Sequence, residues 1–131
     1  MTPRRLFLIT LLVLSRGPAY AEWVEVGTSA EFTYYIDPDT IRRKGDMVKM
    51  WVVLDFKTVQ TLSDDTSHLS VKMQDEFDCA KERSRTLTFT EFSGDMGRGN
   101  VVYIKPDEGK WKPVAPGTVF QRLWQVACAK P

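Results

Sequence analysis

The two cysteines, Cys79 and Cys128, have the clearest potential chemistry in this sequence. They are too far apart for a CxxC redox motif, and an even number of cysteines is typical of a disulfide when a chain is exported. Closing a loop of about 50 residues would stabilise a small domain by roughly 4 kcal/mol if the cross-link acts on the unfolded chain. We therefore predict a Cys79–Cys128 disulfide. The alternative is two separate buried thiols.

Few other side chains are available for catalysis or metal binding. His68 is the single histidine, and it falls in a polar connection where we expect it to be solvated. Zinc usually takes three or four Cys and His ligands, and this sequence has three such residues, two of which are the cysteines. The acidic clusters at 64–65 and 75–78 lack the ligand spacing and central glycine of a calcium loop. We expect a protein that is not an enzyme and has no cofactor and no metal site.

Two short segments are candidates for contact with a partner. The glycine-rich segment Gly94–Asn100 lacks the spacing of a phosphate-binding loop. It is expected to form a turn that could present Met96 and Arg98 at a hairpin tip. Arg42 and Arg43, with the lysine that follows, form the one basic run, which would suit an acidic glycan or an anionic matrix protein. A solvated turn is the simpler interpretation of that run.

Strand patterns must position these residues. The clearest alternation runs from Met47 to Lys57, with an apolar side chain at every second position from Val48 to Phe56. Trp51 and Val53 lie on the other, more polar face. Cover by a neighbour, a partner chain or a ligand would explain this, so Trp51 is a candidate partner-binding residue. A bare surface Trp is equally consistent with the pattern.

The remaining elements follow from similar patterns. Residues 37–41 suit one helical turn capped by Asp37, and Thr61–His68 is predicted to be a mobile connection. Further strand-like segments are residues 23–26, 32–36, 71–79, 83–92 and 101–104.

Two charged residues are predicted to face inward. Asp75 shares the parity of Met73 and Phe77, and Arg85 shares that of Leu87. Asp75 would face inward unless its own strand bulges there. Because an unpaired buried charge is costly, we expect a structural ion pair between Asp75 and Arg85.

A helix is predicted at the C-terminus, after the Pro- and Gly-rich stretch Pro106–Gly117. Its apolar stripe, which includes Phe120, Leu123 and Trp124, also contains Cys128. These three large side chains are expected to supply most of the burial of the helix. Cys79 has inward strand parity, so a bridge from helix to sheet is consistent with both patterns.

Residues 1–21 are predicted to be a cleavable signal peptide. Arg4 and Arg5 precede the apolar run Leu6–Leu14, and alanines at positions 19 and 21 suit a cleavage site. The run is too short to span a bilayer, so we expect no membrane span after cleavage.

Residues 22–131 are predicted to form a single domain, because no repeat or linker divides them. Three of the 18 basic side chains lie in the signal, which leaves the domain, with 17 acidic side chains, slightly acidic. A nucleic-acid-binding surface is therefore not expected.

Several motifs, in order and in their spacing from both cysteines, resemble the surface-adhesin protein E family of proteobacterial envelope proteins. The resemblance implies an α+β fold in which a single antiparallel sheet of about six strands carries a C-terminal helix on one face, tied by the disulfide. It also implies a non-enzymatic, adhesin-like role. The motifs are Trp23–Gly27, Tyr35–Pro38, Thr40–Gly45, Met47–Trp51, Phe77–Cys79, Arg85–Leu87, Phe92–Gly97, Trp111, Pro113–Val114, Pro116–Gly117 and Leu123–Trp124.

Three hypotheses of function follow. The first is an exported module that holds a host or matrix protein through Trp51, Arg42, Arg43, Met96 and Arg98. The second is a periplasmic module that sequesters a small apolar ligand or haem between sheet and helix. The third is an envelope structural or assembly protein whose Trp51 face forms a homodimer. A ligand site would be an unfilled apolar cavity, whereas a partner surface would be an exposed apolar patch rimmed by charge. The sequence leaves periplasm and cell surface open as the final location.

Overall fold

The computed structural model describes residues 22–62, 65–105 and 109–129. The predicted signal peptide lies outside the described residues. The strands are β1 (Val24–Thr28), β2 (Phe32–Ile36), β3 (Arg42–Lys44), β4 (Met47–Thr61), β5 (Ser67–Asp78), β6 (Arg83–Phe92), β7 (Val101–Lys105) and β8 (Lys112–Pro113), and the C-terminal helix is α1 (Val119–Cys128). Short 3-10 turns lie at Pro38–Thr40 and Asp95–Gly97.

The strands form one antiparallel sheet in the order β1-β2-β4-β5-β6-β7. Two short strands extend it, since β3 pairs with β4 and β8 pairs with β6. The predicted fold class, an antiparallel sheet of about six strands with a C-terminal helix, is confirmed. The helical turn is also confirmed: the Asp37 carboxylate caps it by accepting a hydrogen bond from the Asp39 N–H at 3.1 Å.

The two faces of the sheet differ, as the alternation in β4 predicts. We call the face that carries Val48, Met50 and Val52 the inner face, because α1 packs on it through Leu123 and Ala127. These five side chains are buried together with Phe77 from β5. Leu123 is fully buried, which corresponds to roughly 2 kcal/mol of hydrophobic stabilisation. The opposite, outer face carries Trp51.

A disulfide joins the end of the sheet to the end of the helix. Cys79 directly follows β5 and bonds Cys128, the last residue of α1, with an S–S distance of 2.06 Å and a Cα–Cα distance of 5.6 Å. Beside it, the Trp124 indole N–H donates to the Asp78 carbonyl at 2.9 Å. The predicted disulfide is confirmed, and it connects two elements whose apolar side chains also pack against each other.

The predicted ion pair between Asp75 and Arg85 is wrong, because β6 contains a bulge. Gln74 pairs with Thr88 but Asp75 pairs with Thr86, so Leu87 is an extra residue in β6. One extra residue reverses the parity of the positions that precede it in the strand. Arg85 therefore lies on the outer face opposite Glu76.

Asp75 points inward, as predicted, and is fully buried. Its Oδ1 accepts a hydrogen bond from the Thr86 hydroxyl at 2.8 Å, while Oδ2 has no partner among the described residues. Burial raises the pKa of Asp75 to about 7, against a smaller opposing effect of the Thr86 hydrogen bond.

Two further expectations are corrected. His68 is only 6 % exposed, because β5 already begins at Ser67. Its ring contacts the Phe56 ring edge to face, with 5.6 Å between the ring centroids. Its Nδ1 lies 3.5 Å from Glu91 Oε1. The predicted connection Thr61–His68 is therefore shorter, and residues 63–64 lie outside the described part of the chain. Phe120 is 38 % exposed and does not share the burial of Leu123.

Candidate functional site

The outer face presents an aromatic patch formed by Trp51, Trp23 and Lys72. The Lys72 ammonium lies 5.1 Å from the centroid of the Trp51 ring and 5.8 Å from that of Trp23. At these distances cation–π attraction holds the two half-buried indoles beside one cation. Trp51 lies opposite Gln74 across the ladder between β4 and β5. Trp51 and Lys72 therefore stand on the two longest strands of the sheet, and Trp23 directly precedes β1.

The turn after β6 folds back onto the outer face. The Met96 N–H donates to Asp55 Oδ1 at 2.9 Å, and the Gly97 N–H donates to the Ser70 hydroxyl at 2.8 Å. Val53, which the sequence places on this polar face, is fully buried. The expected cover over the face is thus supplied in part by the protein's own turn.

The same turn brings Met96 to the face that carries Trp51, rather than leaving it free at a hairpin tip. Met96 has a positive φ of 53°. Arg98 remains largely exposed, and its guanidinium chelates both carboxylate oxygens of Asp95 at 2.9 Å. Arg98 is therefore presented to solvent as half of a surface ion pair, whose net contribution to stability is small.

A row of charged residues crosses the outer face next to Trp51. Strand register places Arg42, Lys49, Glu76 and Arg85 side by side on β3, β4, β5 and β6. Arg85 bonds Glu76 at 2.7 Å, which neutralises the buried carboxylate. Arg42 and Lys49 are exposed and leave this end of the face positive. Arg43 lies opposite Val48, on the other side of β3.

Two carboxylates lie near Tyr35 on the outer face. Burial raises the pKa of Tyr35, and the negative charges of Glu25 and Asp55 raise it further.

A second aromatic site borders the row. The guanidinium carbons of Arg83 and Arg85 both lie 4.5 Å from the centroid of the Trp111 ring. Arg83 also donates to Asp78 Oδ2 at 2.9 Å. Burial opposes ionisation of Asp78, but the hydrogen bonds from Arg83 and from the N–H groups that follow the strand outweigh it and lower the Asp78 pKa.

The inner face carries a groove that α1 leaves uncovered. The groove has a volume of about 940 Å³ and lies between the start of α1, the sheet and the segment 109–115. Its apolar lining includes Leu54, Met73, Phe89, Tyr103 and Phe120, and its basic side chains are Lys105, Lys110 and Lys112. We call this site the inner groove. It matches the unfilled apolar cavity that a ligand site would show.

Of the candidate residues from the sequence, the structure brings Trp51, Arg42 and Met96 to one face. Sequence reasoning named Trp23 and Trp111 only among the family motifs and did not name Lys72, so none of the three was a candidate binding residue. Trp111 lies in a stretch without strand or helix periodicity, so no pattern could assign it a neighbour. Lys72 lies between the inward-facing residues Val71 and Met73, so strand alternation was the one signal that could have placed it on the outer face.

The described residues contain no group of three or more His, Cys, Asp and Glu side chains placed to hold a metal ion. Within the same part of the chain, no helix has the length and apolar character that a membrane span requires.

Comparisons with known proteins agree on one family. The family model for surface-adhesin protein E matches residues 23–129. A crystal structure of protein E from non-typeable Haemophilus influenzae superposes with a TM-score of 0.62 at 16 % identity, covering 85 % of this chain and 79 % of that chain. A second crystal form of Haemophilus influenzae protein E gives a TM-score of 0.61 at 16 % identity, with 79 % and 91 % covered. A search of curated proteins finds no match. At this identity the structural likeness establishes a shared fold.

Proposed function

The chain belongs to the surface-adhesin protein E family, and from this premise we propose that it is an exported, non-enzymatic module that adheres to a host or matrix protein through the outer face of its sheet. The observation that carries the proposal is the aromatic patch, in which Trp51 and Trp23 flank Lys72 on a face that α1 does not cover.

The chemistry of the outer face suits a protein partner. Binding hot spots are enriched in Trp and Arg at the centre of a patch with a polar rim. Here half-buried Trp51 is central, Arg42 and Lys49 lie on one side, and Met96 lies over the same face. Trp51 and Lys49 lie on the long strand β4, Met96 is hydrogen-bonded to β4 through Asp55, and Arg42 lies on the short strand β3 paired with it. Little conformational entropy would therefore be lost when a partner docks.

Charge indicates which partner surface fits. Arg42 and Lys49 are exposed, whereas Glu76 beside them is already paired with Arg85. A partner that presents acidic side chains next to an apolar one would complement this end of the face. In this proposal the predicted signal peptide directs export, and the mature protein acts at the cell surface, where a host or matrix protein is accessible.

The test is solid-phase binding of the purified protein to a panel of matrix and serum proteins. For any partner that binds, Trp51→Ala is expected to weaken affinity by roughly 30-fold or more, as for a hot-spot residue worth about 2 kcal/mol. Arg42→Ala with Lys49→Ala should slow association and reduce its dependence on salt. Val59→Ala is the matched control, because Val59 is an exposed apolar residue on the same strand, away from the patch.

Two outcomes would contradict the proposal. The first is a wild-type protein that binds no member of the panel. The second is a bound partner whose affinity is unchanged by Trp51→Ala in a variant with native circular dichroism.

A further inference from the structure

We propose that the inner groove binds a long-chain carboxylate, with its hydrocarbon tail on the apolar lining and its head group among the lysines. This site lies on the opposite side of the sheet from the aromatic patch and is independent of the proposed adhesion.

The apolar half of the groove comes from five elements. Leu54, Met73 and Phe89 belong to the inner-facing rows of β4, β5 and β6, and Tyr103 extends the surface onto β7. Phe120, in the first turn of α1, closes one side. Tyr103 is 50 % exposed and Phe120 is 38 % exposed. Aromatic side chains exposed next to an apolar concavity indicate a binding site more strongly than isolated surface residues do.

The polar half of the groove is basic. Lys105 follows Tyr103 closely on β7, while Lys110 and Lys112 lie in the segment that forms the opposite wall. No acidic side chain contributes to the described lining. Within residues 22–62, 65–105 and 109–129, none of these three lysines forms an ion pair. A carboxylate is therefore complementary to the site, whereas a cationic head group would be repelled.

The dimensions fit a small amphiphile. The volume of about 940 Å³ falls within the range of roughly 300–1,000 Å³ that is usual for small-molecule sites. The groove opens to solvent along one side, so a linear tail can enter lengthwise while the head group remains at the charged rim. A tail on this lining would remove from water the apolar surface that α1 leaves uncovered.

The test is calorimetric titration of the purified protein with dodecanoate, held below its micelle concentration. Dodecanol and dodecyltrimethylammonium, which share the tail but not the anionic head, serve as matched ligands. We expect dodecanoate to bind at one site, at least about tenfold more tightly than either matched ligand. Amide NMR shifts should be confined to the groove, including Phe89, Tyr103 and Phe120.

Variants then separate tail from head group. Lys110→Glu with Lys112→Glu should weaken dodecanoate binding at least about tenfold and leave dodecanol binding nearly unchanged. Lys44→Glu, an exposed charge reversal on β3, is the control. Phe120→Ala, at an exposed position where the fold is expected to survive, should weaken both ligands. Trp51→Ala should leave dodecanoate binding unchanged, which separates this proposal from that of adhesion.

Three results would overturn the proposal: no binding of dodecanoate, equal binding of all three amphiphiles, or NMR shifts outside the groove. A fourth probe tests a protein segment as the occupant. If a decapeptide of alternating Phe and Asp bound at the groove more tightly than dodecanoate, the site would belong to a protein partner instead.

Discussion

Replacing Asp75 by Asn should change how the stability of the protein depends on pH. Asp75 is fully buried, its Oδ1 accepts one hydrogen bond from Thr86, and its Oδ2 has no partner among the described residues. Burial raises its pKa from 3.8 to about 7. The native state therefore retains a proton that the unfolded chain releases at lower pH.

The sign and size of the effect follow from linkage. Between pH 3.8 and about 7 the native state binds more protons at Asp75 than the unfolded state does. The free energy of unfolding therefore falls as pH rises through this window and becomes flat above it. A shift of about three pKa units at about 1.4 kcal/mol per unit gives roughly 4 kcal/mol, an upper bound for this site. Asn keeps the shape without titrating, so the variant should lack this decline.

The assay is urea unfolding followed by tryptophan fluorescence at intervals from pH 4 to pH 8. The stability of Asp75→Asn relative to wild type should increase across that range by up to about 4 kcal/mol, whatever its value at pH 4. Gln125→Ala, at an exposed helix position without a titratable side chain, should give a nearly constant difference. A constant difference for Asp75→Asn as well would refute the claim that Asp75 is protonated by burial.

Three other predictions concern the disulfide, the charge of Asp78 and the burial of α1. Replacing Cys79 and Cys128 together by Ala should lower the free energy of unfolding by about 4 kcal/mol for a sequence separation of 49; a loss below about 1 kcal/mol in urea unfolding would contradict a constraint on the unfolded chain. Asp78→Asn should destabilise at pH 7, and because the native pKa of Asp78 is lowered, the difference from wild type should shrink as pH falls through that pKa; an equal difference at pH 3 and pH 7 would count against this. Leu123→Ala should lower stability by about 2–5 kcal/mol by leaving a cavity, whereas Phe120→Ala, at an exposed position, should cost under about 1 kcal/mol; equal melting-temperature shifts would contradict the different burial of the two residues.

The periodic elements were predictable because each has a buried face. The alternation in β4 and the stripe of α1 place Met50, Leu123 and both cysteines correctly, since these positions all point into one core. The strand β5 starts earlier than predicted. Its first residues are mostly polar in sequence, and His68 is buried only in the folded sheet, where it pairs with Gln60 of β4 and lies beside Glu91 of β6.

The Arg85–Glu76 ion pair was not predictable, because the face on which Arg85 lies depends on a bulge in β6. Nothing in the sequence of β6 marks Leu87 as the extra residue, and parity alone places Arg85 on the wrong face. A register shift of one residue exchanges the faces of a strand. The sequence therefore identified Asp75 as a buried acid but assigned it the wrong partner.

The candidate surfaces were predictable only in part. Trp51 follows from strand alternation, since its position on the polar face is a local property. The aromatic patch also needs Trp23 and Lys72, which strand pairing brings to Trp51 from distant parts of the chain. The inner groove depends on where α1 crosses the sheet, and no periodicity specifies how much of the inner face a ten-residue helix leaves uncovered.

The proposed adhesion requires that the protein be exposed at the cell surface, and this exposure can be measured directly. Antibodies raised against the purified protein would be applied to intact cells and to cells with a permeabilised outer membrane, with a known periplasmic protein as control. We expect intact cells to be labelled by these antibodies while the periplasmic control stays unlabelled. Labelling that appears only after permeabilisation would contradict adhesion and would place the protein's partners in the periplasm.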